Sequence, residues 1–212
     1  MEEDWQADLE QWLAPYLDGL GNKTRRKMCP AYIAGLIGPG DRKSIQPMAA
    51  RSDAVPYDRL HHFIGAGLWD KAPLEATLWK QADELVGGNG SWLIIDDTAL
   101  PKKGKSSVGV APQYATALGK NANCQTLVSV TLASGEVPLM LSLRLFLPES
   151  WTSDVARMDK AGVPHALQDY RTKPEIALED IDRVIAAGVR FGCVLVDATT
   201  LRLFVFSNTN FC

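Results

Sequence analysis

The sequence has few of the features that mark disulfide-rich, secreted or membrane proteins. Only four cysteines occur among 212 residues, and no two form a C-x-x-C pair, which disfavours structural zinc and a disulfide framework. No apolar run approaches the roughly 18 residues of a membrane-spanning helix. The first ten residues are acidic, whereas a secretion signal begins with basic residues. We therefore expect a cytoplasmic protein with free thiols and no membrane partner.

Several nucleotide-binding and hydrolytic signatures are also missing. Gly104-Lys105-Ser106 resembles the end of a phosphate-binding loop, but the first glycine of that motif is replaced by Ala99. No G-x-S-x-G segment occurs, so the usual signature of a serine hydrolase is absent. His61 and His62 are adjacent, which suits a helix surface better than shared metal ligation.

Charge is distributed unevenly along the chain, although the net charge is only −3. Residues 1–20 contain six acidic and no basic side chains, whereas residues 22–51 contain seven basic side chains and one acidic. A second basic cluster follows the first strongly apolar run. Clustered bases attract phosphate groups, although a solvated surface is the simpler explanation. The candidate DNA-binding residues are Lys23, Arg25, Arg26, Lys27, Arg42, Lys43, Lys102, Lys103 and Lys105.

Hydrophobic periodicity predicts helices in the first part of the chain and strands in the second. Apolar residues at helical spacing predict helices over 5–16, 24–37, 44–51, 57–64 and 73–86. Short β-rich runs predict strands over 92–95, 126–132, 137–147 and 193–196, with a hairpin turn at 133–136. Thr172 and Glu175 have capping-box spacing and begin a predicted helix that ends near Gly188. The order indicates a helical region followed by a mixed α/β region.

Two of the predicted strands are followed by aspartate. Asp96 and Asp97 follow the first strand, and Asp197 follows the last. If these strands are neighbours in one sheet, their carboxylates converge and offer hard oxygen ligands for Mg²⁺ or Mn²⁺. Adjacent residues of a strand point to opposite faces, so only one of Asp96 and Asp97 can face the partner strand's acid. The alternative is that the aspartates merely cap strand ends.

The segment LIIDDTALPKKGK at residues 93–105 resembles the first catalytic strand of bacterial insertion-sequence transposases with a DDE, RNase H-like domain. Further segments at 38–44, 60–64, 122–125, 144–151 and 170–175 agree with the same family. The resemblance extends from about residue 9 to Asp197. It implies an α+β or α/β protein, in which an N-terminal helical region precedes an incomplete RNase H-like mixed sheet with helices.

The resemblance also implies a function and a division of the chain. Asp97 and Asp197 match the first two catalytic, metal-binding acids, which would hold Mg²⁺ or Mn²⁺ in a two-metal site and act on double-stranded DNA at element ends. The expected regions are a helical part at 1–88, which is the candidate for DNA binding, a partial catalytic domain at 89–197 and an aberrant tail at 198–212.

The family's third acid, a glutamate on a later helix, has no counterpart in this sequence. Residues 198–212 contain neither aspartate nor glutamate. We therefore expect a C-terminally truncated transposase with little or no activity as this chain alone. One alternative is a non-catalytic DNA-binding or inhibitory fragment that occupies element ends or pairs with full-length transposase. Another is an unfolded remnant without a role. An aspartyl phosphatase is disfavoured because the D-x-D-x-T motif is absent around Asp97.

Overall fold

The structure, a computed structural model, describes residues 5–40, 42–51, 55–65 and 70–196. The chain divides into two compact units, Met1–Thr77 and Leu78–Cys212. The functional regions expected from the sequence, with boundaries after residues 88 and 197, stay a prediction.

The first unit is helical, as predicted. Asn22 begins the second helix, where its side-chain oxygen accepts a hydrogen bond from the Thr24 N–H at 2.8 Å. A small apolar core joins the second, third and fourth helices through Met28, Met48, Leu60 and Phe63. The helices are α1 (Trp5–Gly19), α2 (Lys23–Ile37), α3 (Ile45–Ala50), α4 (Tyr57–Gly65) and α5 (Ala72–Val86), the last of which crosses into the second unit.

The second unit contains a five-stranded mixed sheet. The longest strand, β3, pairs antiparallel with β1, β2 and β4, and β1 also pairs in parallel with β5. A helix, α8, connects β4 to β5, as a parallel crossover requires. The elements are β1 (Trp92–Pro101), β2 (Ala111–Ala115), β3 (Lys120–Ser134), β4 (Val137–Phe146), α6 (Glu149–Thr152), α7 (Val155–Lys160), α8 (Lys173–Ala186) and β5 (Cys193–Val196).

The main core lies between the sheet and one face of α8. Alternate residues of β1, Leu93 and Ile95, are buried on this face, where they meet Ile181 and Val184 of α8. The predicted capping box at Thr172 is confirmed and fixes the start of α8. Because the apolar residues of α8 recur at helical spacing, their burial against alternating strand residues explains why this helix and this sheet form together.

The second unit differs from the sequence prediction in the length of its first strand and in three elements that were not predicted. The first strand does not end before the acids, because β3 has 15 residues and continues to pair with β1 as far as Pro101. The strand β2 was not predicted. The polar stretch between β4 and α8, for which no element was predicted, contains α6 and α7. It is anchored by Trp151, which is only 1% exposed and donates its indole N–H to the Val110 carbonyl at 2.8 Å.

Two further expectations concern thiols and membranes. Cys124 is buried and Cys29 and Cys193 are half-buried, all three as free thiols, and burial raises the pKa of the Cys29 thiol. Cys212 lies outside the described residues. Among the helices of the described ranges, none has the length and hydropathy needed to cross a membrane.

Candidate active site and nucleic-acid interface

Asp97 lies within β1 on the face of the sheet that α8 covers. Leu93 and Ile95 are buried and Asp97 is half-buried on the same alternation, whereas Asp96 is exposed on the opposite alternation. The two adjacent acids therefore leave opposite faces of the strand, as expected. Asp97 is the acid that faces the interior of the second unit, and Asp96 accepts a hydrogen bond from the Asp97 N–H at 2.7 Å.

The carboxylate of Asp97 forms an ion pair and hydrogen bond with the ammonium group of Lys173. The two side chains are 27% and 29% exposed, so the pair is shielded but still reachable by water. Lys173 also lies 5.6 Å from the centre of the Phe146 ring at the end of β4. Sequence reasoning did not single out Lys173. The sequence did contain one signal for Lys173. It is a basic residue in the first turn of a predicted helix, where the helix macrodipole disfavours a cation, so it calls for a partner elsewhere in the fold.

Asp197, the second predicted acid, lies outside the described residues. The strand that leads to it is described, and it runs parallel to β1 with Ile95 opposite Val196. The carboxyl end of β5 therefore lies beside the part of β1 that carries the first acid. Within the described ranges, no three histidine, cysteine or acidic side chains are grouped as a metal site.

The approach to β5 is fixed by contacts with the end of α5 and with the turn that follows it. Asp83 accepts hydrogen bonds from the Arg190 backbone N–H at 2.7 Å and from its guanidinium at 3.1 and 3.2 Å. These bonds hold the pKa of Asp83 below its ordinary value. The Gly192 N–H donates to the Ser91 carbonyl at 2.9 Å. A Cβ at Gly192 would lie 2.0 Å from the Asn89 carbonyl oxygen, so this close approach requires glycine.

A partly buried ionic network, in which only Asp180 is fully buried, joins β4 to α8 near Asp97. Arg144 of β4 lies opposite Val128 of β3 in the sheet, and Val128 lies opposite Asp97 of β1. The Arg144 guanidinium donates to Glu179 at 2.9 Å and to Asp180 at 3.3 Å. Burial alone would raise the pKa of Glu179, but Arg144 and a second guanidinium, that of Arg171, hold this pKa below its ordinary value.

The second basic cluster lies on a loop whose backbone is fixed by side chains of β3. The Asn123 amide donates to the carbonyls of Lys102 and Gly104, both at 2.8 Å. The Gln125 amide donates to the Val108 carbonyl at 2.6 Å. These bonds hold the loop through its carbonyl groups. The side chains of Lys103 and Lys105 are exposed, and that of Lys102 is half-buried. The loop at 102–110 is therefore ordered by its backbone and presents charge to solvent.

A second anchor of this loop comes from α6 and α7. Arg157 donates to the Lys105 carbonyl at 3.0 Å, and its guanidinium lies 3.7 Å from the centre of the Trp151 ring. The loop begins five residues beyond Asp97 on β1, which is roughly 17 Å along an extended strand. The predicted lysines are therefore separated from Asp97 by the end of β1, a length comparable to half a turn of duplex DNA.

The first basic cluster lies in the helical unit. Lys23, Arg26 and Lys27 are exposed in the first turns of α2, and Arg25 is half-buried. Arg26 forms an exposed ion pair with Asp18 at 3.6 Å. The remaining two predicted residues follow α2. Arg42 is exposed, and Lys43 is exposed and donates to the Gly38 carbonyl.

The strand order and the position of Asp97 define the class of protein. A sheet of antiparallel strands β4, β3 and β1, with β5 added in parallel to β1 after a helical crossover, is a mixed α+β fold of the RNase H-like type. An acid on the central strand, beside the end of that parallel neighbour, places the candidate catalytic centre in this sheet.

Comparison with known proteins then identifies the family. Residues 15–199 match the DDE superfamily endonuclease family, and the chain belongs to it. A probable transposase for insertion sequence element IS701 from Microchaete diplosiphon is 30% identical over 164 residues. That alignment covers 77% of this chain and 40% of the relative, so the chain spans less than half the length of that protein.

Proposed function

We propose that this chain contains the helical N-terminal region and the first half of the catalytic domain of an insertion-sequence transposase. The reaction would be cleavage of double-stranded DNA at element ends followed by strand transfer, in the cytoplasm. The observation that carries the proposal is the half-buried Asp97 on β1 beside the parallel strand β5, whose next residue in the sequence is Asp197.

The donor set fits a hard divalent cation. Asp97 faces the covered side of the sheet, where its carboxylate attracts a cationic group, Lys173, and carboxylate oxygens are the ligands that Mg²⁺ and Mn²⁺ prefer. Asp97 and Asp197 would be the residues of this chain that hold the metal. When bound, a pair of such ions activates the attacking oxygen and stabilises the leaving oxygen of a phosphodiester.

The two basic clusters would hold the DNA. Lys103 and Lys105 extend from a loop whose carbonyls are tied to Asn123 and Gln125, so they present charge with little flexibility of the backbone. The first cluster, which is exposed except for the half-buried Arg25, would contact phosphates from the helical unit. Such contacts give affinity without sequence specificity, and each one adds to the salt dependence of binding.

A second function is supported by the sequence that follows Asp197. Residues 198–212 supply no acid to complete a three-carboxylate site. Loose positioning of reacting groups by 1 Å can cost on the order of 100-fold in rate. We infer that this chain by itself cleaves DNA weakly or not at all. It would then act as a non-catalytic DNA-binding fragment that occupies element ends or pairs with full-length transposase.

Two measurements test these proposals. Nicking of supercoiled plasmid with Mg²⁺ by the wild-type chain, lost in Asp97→Ala, would show that the chain alone is catalytic and would contradict the second function. For DNA binding, Lys103→Gln with Lys105→Gln should lower the slope of log affinity against log salt by about two, one unit for each lysine. The matched control Lys80→Gln removes an exposed lysine of α5 and should leave the slope unchanged. An unchanged slope in the loop variant would remove this loop from the DNA interface.

A further inference from the structure

Among the described residues, Lys173 is the cation that contacts Asp97, and it lies in the segment at 170–175 that agrees with the family. The side chain starts from the first residue of α8 and crosses to β1, where its ammonium group binds the Asp97 carboxylate. A cation in the first turn of a helix opposes the helix macrodipole. The capping box formed by Thr172 and Glu175 already satisfies the end of the helix, so Lys173 serves no capping purpose there.

The surroundings restrict both members of the pair. Asp97 is 27% exposed and Lys173 is 29% exposed, and the lysine is further placed by the Phe146 ring at 5.6 Å. Three elements, β1, β4 and α8, therefore meet at one ammonium group. Asp97 lies in the interior of a paired strand, so the carboxylate is presented from a rigid backbone and its main remaining freedom is side-chain rotation.

We propose that Lys173 is a positioning residue that acts as the internal counter-cation of Asp97, and that a divalent metal must displace it. This inference rests on the proposed function, in which Asp97 binds the metal. The ammonium group holds the carboxylate oriented and neutralised before metal arrives. Lys173 contacts the Oδ2 atom of Asp97. A metal ion bound at this oxygen would take the place of the ammonium group, and the two positive charges repel each other at such short range, so binding of one weakens binding of the other. Displacement also frees a cation beside the site, where a DNA phosphate would approach.

The test measures metal affinity directly and does not depend on catalysis. Free Mn²⁺ is counted by electron paramagnetic resonance while it is titrated into the full chain. We expect Lys173→Met to bind Mn²⁺ about fivefold more tightly than the wild type, which corresponds to ~1 kcal/mol for a partly exposed ion pair. Lys173→Arg keeps the charge and should return the affinity toward the wild-type value. The matched control Lys80→Met removes a lysine that pairs with Glu84 on α5 and should change nothing.

Two results separate failure of this inference from failure of the proposed function. If Asp97→Asn abolishes Mn²⁺ binding but Lys173→Met binds no more tightly than the wild type, Asp97 is a ligand and the counter-cation role is refuted. If Mn²⁺ binding survives Asp97→Asn, the metal site itself is elsewhere and both ideas fail.

The wild-type chain gives an independent readout in case Lys173→Met does not fold. Titration with Mg²⁺ should shift the side-chain NMR resonance of Lys173, identified by its loss in Lys173→Arg, as its ammonium leaves the carboxylate. In Asp97→Asn the same titration should not move it. A Lys173 resonance that stays fixed while Mg²⁺ saturates Asp97 would overturn the proposal.

Discussion

The buried carboxylate of Asp180 should be one of the positions of the second unit that are most sensitive to substitution. Asp180 is 1% exposed and accepts hydrogen bonds from the Ser142 hydroxyl at 2.6 Å, from Arg183 at 3.1 Å and from Arg144 at 3.3 Å. In Asp180→Ala the hydroxyl and two guanidinium groups lose a shared anionic partner at once. Arg144 keeps Glu179 at 2.9 Å, so its charge is only partly compensated.

The expected loss follows from the cost of leaving charge without its partner. Removing one member of a buried ion pair typically costs about 3–5 kcal/mol. Because Arg144 retains a second carboxylate, we expect the lower part of that range, about 3 kcal/mol, against a total stability of about 5–15 kcal/mol for a domain. Asp180→Asn keeps the size and one acceptor oxygen, so it should lose less, about 1–2 kcal/mol.

Native-state hydrogen exchange is the suitable assay, because it reports opening of the second unit alone. The slowest amides of β3 should give the free energy of unfolding of the sheet. The control is Glu84→Ala, which breaks a solvent-exposed pair with Lys80 at 3.9 Å. It should cost no more than about 0.5 kcal/mol. If Asp180→Ala lowers the free energy of unfolding by no more than the control does, the view that this network stabilises the contact between α8 and the sheet is refuted.

Three further predictions concern local features of the fold. Thr172→Ala removes the cap of α8 and should destabilise the second unit by about 1 kcal/mol, whereas Thr77→Ala, which only loses a bond to a carbonyl of its own helix, should have little effect in the same exchange measurement. The lowered pKa of Asp83 means that its ion pair stabilises the fold above its ordinary pKa of 3.8, and that this stability is lost as pH falls through the lower folded value. The free energy of unfolding measured between pH 5 and pH 2 should therefore fall less in Asp83→Asn than in the wild type. An equal fall in the two proteins would contradict the stabilising role of the Asp83–Arg190 ion pair. Gly109 has φ +75°, and a Cβ there would lie 3.0 Å from the Phe146 carbonyl oxygen, so Gly109→Ala should lower the melting temperature by several degrees, whereas no shift would show that the loop relaxes freely.

The sequence alone determined features that depend on neighbouring residues. Helical spacing located α1 to α5 and α8 to within a few residues, because an amphipathic face is written in the order of apolar residues. The capping box formed by Thr172 and Glu175 is likewise a local pattern, and the structure confirms it. The acids at the end of two apolar runs, with the segments around them, were sufficient to indicate the family that the comparison confirms. The alternation that separates Asp96 from Asp97 also follows from strand geometry alone.

Only the tertiary structure decided features that depend on residues far apart in the sequence. The strand β1 runs on through its acids because β3 is long enough to pair with all of it, and no local pattern records the length of a partner strand. Lys173 meets Asp97 across 76 positions of sequence, and the basic loop is fixed by Asn123 and Gln125 of a later strand. Such contacts arise when the β3–β4 hairpin pairs with β1 in one sheet and the crossover helix α8 packs on that sheet. Their physical cause is non-local pairing and burial, which local periodicity does not encode.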